Sequence, residues 1–252
     1  IANKDSLAPL GVDSNTFLTI IFPNTYTYFW NTTPSAIFKK MYASSKAWWT
    51  PERIQQAESE GLNPTTAYIL ASIVEEETNA TADKGKIASV YLNRMARGMK
   101  LGADPTIKFA MRNFELKRIY TKYTLTPSPY NTYLYPGLPP GPICTPTEQT
   151  LTAVLEAPKT DYLFFVAKPD LKGYSNFAAT YKEHLQYRKE YQEALNQRGI
   201  RIESPEPDSA DSAANDAVKK PAEPAIKKPV KRAAAAPVKH KRAKPVRRKR
   251  RG

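Results

Sequence analysis

Between Asn63 and Thr106 the chain has little choice of fold: an apolar helix, a break at Asn79-Ala80, and a second helix. Asn63-Pro64 is a start signal, because Asn caps a first turn and Pro is tolerated at the first helical position. Ala67, Leu70, Ala71, Val74 and Thr78 then recur at helical spacing, which predicts one apolar stripe. After the break, Thr81 is the expected cap, with Asp83 favourable in the first turn. Ile87, Val90, Tyr91 and Met95 form the second stripe, and Gly98 is a natural stop. So short a break folds the pair into an αα-hairpin with three consecutive acids, Glu75 to Glu77, at its tip.

On a helical wheel the stripe centres on Val74 and Thr78. Glu75 falls on one edge beside Ala71 and Tyr68, and Glu77 on the other between Leu70 and Ile73. Glu76 points away with Ser72. Geometry therefore nominates Glu75 and Glu77 as partly buried and does not choose between them. A regular helix makes them diverge by about 200°, too far apart to flank one scissile bond as a glycosidase pair. One carboxyl would then act alone, with a proton affinity shifted toward neutrality by the core. The plainer reading is that a Glu run is a solvated helix end. Apolar flanks, and the absence of a Lys or Arg close by before Lys84, weaken it.

The rest of the chain is punctuated in the same way. Phe17 to Phe22 reads as a short β-like run ended by Pro23. Thr33-Pro34 and Thr50-Pro51 read as helix starts, the first helix carrying Ile37, Phe38 and Met41 and the second ending near Gly61. From Asp104 to Pro158 prolines and aromatics interleave, which favours a packed, functional loop over a linker. A short helix near Thr147 to Leu155 follows. Tyr162 to Ala167 reads as a buried strand and Tyr174 to Ala178 as its hairpin partner. Thr180-Tyr181-Lys182-Glu183 is a capping box opening a last helix with Leu185, Tyr191 and Leu195, which ends near Gly199. The fold class expected is α+β: a helix-rich domain over residues 1–200, with the Glu-bearing hairpin and a small β-sheet.

Beyond Glu203 the aromatics vanish, and a disordered tail over 201–252 is expected. The formal charge of +14 divides unevenly. From Lys219 onward there are fifteen Lys and Arg against one acid, Glu223, whereas residues 1–218 hold 23 bases and 23 acids. The folded part is electrically ordinary. A lone cysteine, Cys144, excludes an intrachain disulfide framework, and with only His184 and His240 a His-rich zinc site is not expected. Cys144 itself reads as a small buried apolar residue. No apolar run is long enough to span a bilayer and no signal peptide is visible. The chain begins at Ile1 and is expected to be a fragment or a processed form.

The strings ASIVEEET, KIASVYLNRMARGMKLGADPT, YNTYLYPGLPPGPICTP and APKTDYLFFVA, in that order, resemble the endolytic murein transglycosylase family, also called YceG-like or MltG. The likeness runs from about Phe22 to Gln192. It implies a catalytic acid at Glu75, the first Glu of E-x-E-T, with Glu77 as the second acid. Asp104-Pro105-Thr106, Asn131 and the 137–142 loop match further segments expected near the cleft. Tyr133 is a candidate for stacking on sugar, and His184 matches a family histidine. The chain departs from the family in having Phe177-Ala178-Ala179 where an F-N-T segment is common. The family's N-terminal membrane anchor and LysM-like subdomain are expected to be absent from this chain, in keeping with a fragment.

The resemblance implies cleavage of the MurNAc–GlcNAc β-1,4 bond of nascent strands without water, by one Glu acting as acid and then base. A hydrophobic cleft wall is expected to raise that Glu's pKa. No metal or organic cofactor is implied. The partners implied are glycan strands and cell-wall synthases, at a membrane-anchored position in the bacterial envelope outside the cytoplasm. The rivals are a non-catalytic murein-binding scaffold and a hydrolytic muramidase. Nucleic-acid binding through the tail is the remotest, since on an envelope protein such a tail meets anionic lipid or wall polymer.

For several of these residues a plainer reading stands beside the functional one. His184 fits a helix surface or core position, Tyr130, Tyr133 and Tyr135 fit loop packing, and Asp104 before a proline fits the cap of a turn.

Overall fold

The computed structural model describes residues 7–116 and 119–199; the tail expected over 201–252 lies outside them. The described residues form one unit. Its elements, after 3-10 turns at Ala8–Leu10 and Phe17–Ile20, are α1 (Pro34–Trp48), α2 (Pro51–Ser59), α3 (Pro64–Glu77), α4 (Thr81–Ala96), α5 (Asp104–Met111), α6 (Thr121–Thr124), α7 (Glu148–Leu155), β1 (Phe164–Ala167), β2 (Ser175–Ala178) and α8 (Tyr181–Gln197). The α+β reading holds.

The X-Pro starts behave as read. Thr33, Thr50 and Asn63 each accept a hydrogen bond from a first-turn amide, and Asn63 with Thr66 closes a full capping box. Helix α3 is more deeply placed than its stripe predicts. Ala67 to Val74 are all buried, because α2, α4, α5 and α7 pack around the helix. Thr81 does not cap α4: Ala80 holds that position, without a side-chain cap. Asp83 is buried instead, and its Oδ2 accepts from the Ser175 amide at 2.6 Å, tying α4 to β2.

The Phe17–Phe22 run is not a strand: Phe17–Ile20 is a 3-10 helix and Ile21 after it is extended. Asp13 Oδ1 accepts from the Asn15 amide and from the amide and hydroxyl of Thr16, and this turn winds the chain into the 3-10 helix. Phe22 then plugs into the core against Trp48 and Tyr68.

The sheet is an antiparallel pair with Phe164 opposite Ala178 and Ala167 opposite Ser175. Only Phe164 and Ala178, at its inner end, are buried, so β1 is not the fully buried strand its apolar run suggests. On α8, Leu195 is buried, whereas Leu185 is exposed. Cys144 is half-buried and donates to the Ser72 carbonyl at 3.3 Å. Gly141 has a strict reason to be glycine: a Cβ there would lie 2.2 Å from the Asn15 carbonyl oxygen. That close approach locks the Pro-rich loop onto the N-terminal segment.

Candidate active site

The α3 cap fixes where the helix begins, and eight buried residues fix its rotation, so the last turn presents its acids in set directions. Glu75 and Glu77 are half-buried and Glu76 is exposed, as the wheel predicts. The two inward-leaning acids meet different surroundings.

Glu75 is held through one oxygen. Its Oε2 accepts from Lys84 Nζ at 3.2 Å, from the Thr147 hydroxyl at 3.1 Å and amide at 3.3 Å, and from the Thr150 hydroxyl. Lys84 Nζ also donates to Thr150 Oγ1 at 2.6 Å, which places cation, hydroxyl and carboxylate in a chain. Thr147 is the N-cap of α7 and Thr150 lies in that helix's first turn, so the start of α7 brings both hydroxyls and the Thr147 amide to the acid. Lys84 comes from α4 across the hairpin, a pairing that the wheel of α3 alone could not reveal. Among the described residues Oε1 takes no hydrogen bond, and 22% of the side chain stays exposed. Burial pushes the carboxyl up, but Thr150, Lys84 and Thr147 together hold it below the usual glutamate range. The raised pKa expected for Glu75 is therefore corrected: the wall of this pocket is rich in donors, not hydrophobic.

Glu77 shows the opposite behaviour. Burial pushes its carboxyl up to about 7, with Asp104 adding to the rise. The Tyr91 hydroxyl, which donates to Oε1 at 2.5 Å, together with Arg94 and Lys108, limits it. Tyr133 OH donates to Asp104 Oδ1, so α3, α4, α5 and the Pro-rich loop converge on this side.

The remaining candidates separate by role. Thr106 is fully buried, bonded to the Ala103 carbonyl at 2.6 Å and the Thr132 hydroxyl at 2.8 Å, and it fixes the start of α5 to the loop. Asn131 is also fully buried. Its amide donates to the Thr124 and Thr126 carbonyls, and its oxygen accepts from the Tyr133 amide, so it shapes the loop that aims Tyr133. His184 is buried on α8, stacked against Phe164 and Tyr181 beside a second apolar cluster. Sequence reasoning missed Lys84, Thr147, Thr150 and Tyr91 as partners of the acids. Only the T-x-x-T spacing at the α7 start hinted at two of them. Among the described residues no group of three or more His, Cys, Asp or Glu is placed to hold a metal.

The α+β domain thus carries two carboxyls of opposite proton affinity at one helix end, Glu75 held low and Glu77 raised. The chain belongs to the YceG-like family, whose profile matches residues 3–190. It is similar to the endolytic murein transglycosylase of Bacillus subtilis, at 40% identity over 129 residues, covering 51% of this chain and 35% of that protein. It is 32% identical over 151 residues to the endolytic murein transglycosylase of Streptococcus pneumoniae D39, covering 58% of this chain and 27% of that one. A crystal structure of a YceG-like protein from Listeria monocytogenes superposes with a TM-score of 0.59 at 30% identity, covering 67% of this chain and 54% of that chain. The chain thus spans about a third of the length of the curated relatives it matches.

Proposed function

We propose that this chain is the catalytic part of a peptidoglycan lytic transglycosylase and that Glu75 is its acid and base. The observation that carries the reading is the one-sided anchoring of Glu75: Oε2 fixed by three side chains, Oε1 left for substrate. The relatives' names supply the reaction class.

In the proposed reaction Glu75 gives its proton to the glycosidic oxygen as the bond between muramyl C1 and that oxygen breaks. The muramyl 6-hydroxyl oxygen then bonds to C1 and returns its proton to the same carboxylate. The product is a 1,6-anhydro end and a free 4-hydroxyl, with no water consumed. The acid must arrive protonated although its resting pKa is low. A glycan covering the exposed part of the side chain adds to the burial that already pushes the pKa up, and so works against the Lys84 pair. Lys84 and Thr150 hold the carboxyl in place through both steps. Glu77, Tyr91, Asp104 and Tyr133 support the far side of the cleft.

The finer reading places the enzyme in the bacterial envelope, anchored at the inner membrane outside the cytoplasm and cutting nascent strands beside cell-wall synthases. Among the described residues no helix is long and apolar enough to cross a membrane.

Mass spectrometry of digested glycan strands tests the chemistry. Anhydro-muramyl ends are expected; reducing ends would mean a muramidase, and uncut strands a murein-binding scaffold.

A further inference from the structure

The N-terminal arm has a surface that the acid–base site does not use. Residues 14–51 contain ten aromatics and three lysines, Lys39, Lys40 and Lys46, and no Asp or Glu. Phe22 roots this arm in the core, and Tyr68 OH donates to the Ile21 carbonyl at 2.5 Å. Beyond Pro23 the chain leaves the core. Phe29 is 84% exposed and Trp30 97%. Helix α1 folds back against the extended stretch, with Lys40 Nζ donating to the Thr27 carbonyl at 2.6 Å and lying over the Tyr28 ring. None of its residues from Pro34 to Ser44 is buried, and the stripe of Ile37, Phe38 and Met41 remains half-open.

A soluble surface gains nothing from a fully exposed Trp next to a Phe. A bilayer interface does: aromatic rings settle at headgroup depth, aliphatic side chains go just below, and lysines reach the lipid phosphates. A sugar-stacking platform would be expected to set its aromatics among polar side chains in a cleft. Here the rings project, and the charges beside them in this stretch are cationic. Positive charge without a nearby acid in the sequence fits an anionic surface. Acids meet the arm at its root, where Asn24 donates to Glu148 at 2.6 Å, and at the far end of α1, where Thr50 bonds Glu52.

We propose that the arm, led by Phe29 and Trp30 and flanked by Lys39, Lys40 and Lys46, docks on an anionic phospholipid surface. Glu148 opens the same helical turn that carries Thr150 to Glu75, so this docking would hold the candidate active site next to the membrane. The proposal does not depend on the reaction assigned to Glu75.

The test uses the full chain with vesicles of phosphatidylcholine and phosphatidylglycerol, made with or without brominated acyl chains. The basic tail can bind such vesicles by itself, so binding is not the readout. Trp30 emission is the readout, with Trp48 and Trp49 as background. A blue shift and bromine quenching are expected in the wild type and should be lost in Trp30→Phe, whose circular dichroism and cleavage of soluble glycan strands should stay unchanged. Vesicle-bound protein without bromine quenching overturns the proposal, as does equal quenching by purely phosphatidylcholine vesicles. Concentration-dependent shielding of Trp30 without lipid also overturns it, because the occupant would then be a second copy.

Discussion

Glu75 and Glu77 are two residues apart on one helical turn, yet they are tuned in opposite directions. Glu75 faces the start of α7 and the Lys84 ammonium, whose donors outweigh its burial. Glu77 faces Tyr91 on α4 and the Asp104 carboxylate on α5, and for it burial wins. Helical spacing alone decides which wall each acid meets. The walls, not the sequence around the acids, set their proton affinity.

The comparison can be broken most severely at Glu75. Glu75→Gln keeps the shape but removes the transferable proton, so anhydro-end release should fall by about a thousandfold with the melting transition preserved. Turnover within tenfold of wild type would show that this side of the turn is not the reacting one.

Asn131→Ala should cost about 2 kcal/mol in urea unfolding, because the buried Thr124 carbonyl, the half-buried Thr126 carbonyl and the Tyr133 amide lose their partner. The loop that presents Tyr133 to Asp104 would loosen, so the Glu77 side should suffer while the Lys84–Glu75 pair stays intact.

The third test uses pH. The folded protein binds the Glu77 proton more tightly than the unfolded chain, where the pKa is 4.5. The Glu77 contribution to stability is therefore fullest below about pH 4.5 and is lost as pH rises through about 7. Wild type should lose about 2 kcal/mol between pH 5 and 8 relative to Glu77→Gln, after allowing for partial exposure. Parallel stability curves for the two proteins would contradict the pKa assigned to Glu77.

The smallest expected effect sharpens the other side. Lys84→Met removes the cation that holds Glu75 low, so the acid stays protonated to higher pH. The alkaline decline of kcat/KM should move to higher pH. A decline that stays in place would separate Lys84 from the acid.

Much of the architecture was legible in local signals. Thr-Pro and Asn-Pro starts, Gly98 as a left-handed stop and the Thr180–Glu183 box all act through groups within a few residues of each other. The wheel also sorted the three acids at the helix end, although Ser72, read as pointing away with Glu76, is fully buried. Long-range partners were not legible. Lys84 and Thr150 reach Glu75 across 9 and 75 residues of chain. The donor-rich wall was therefore read as hydrophobic. Helix α5 was missed although Asp104-Pro105 repeats the X-Pro start signal, because the prolines that follow suggested irregular chain. The 3-10 turn at Phe17 was missed because its cause is the Asp13 side chain, while the apolar run from Phe17 to Phe22 mimics a strand.

The most direct measurement is a carbon-13 titration of the glutamate side-chain carboxyls in wild type, Glu75→Gln and Glu77→Gln. The account predicts a carboxyl titrating near 7 that vanishes only in Glu77→Gln, and a resonance titrating below 4.5 that vanishes in Glu75→Gln. Loss of the neutral-range titration in Glu75→Gln would reverse the two assignments and contradict the account.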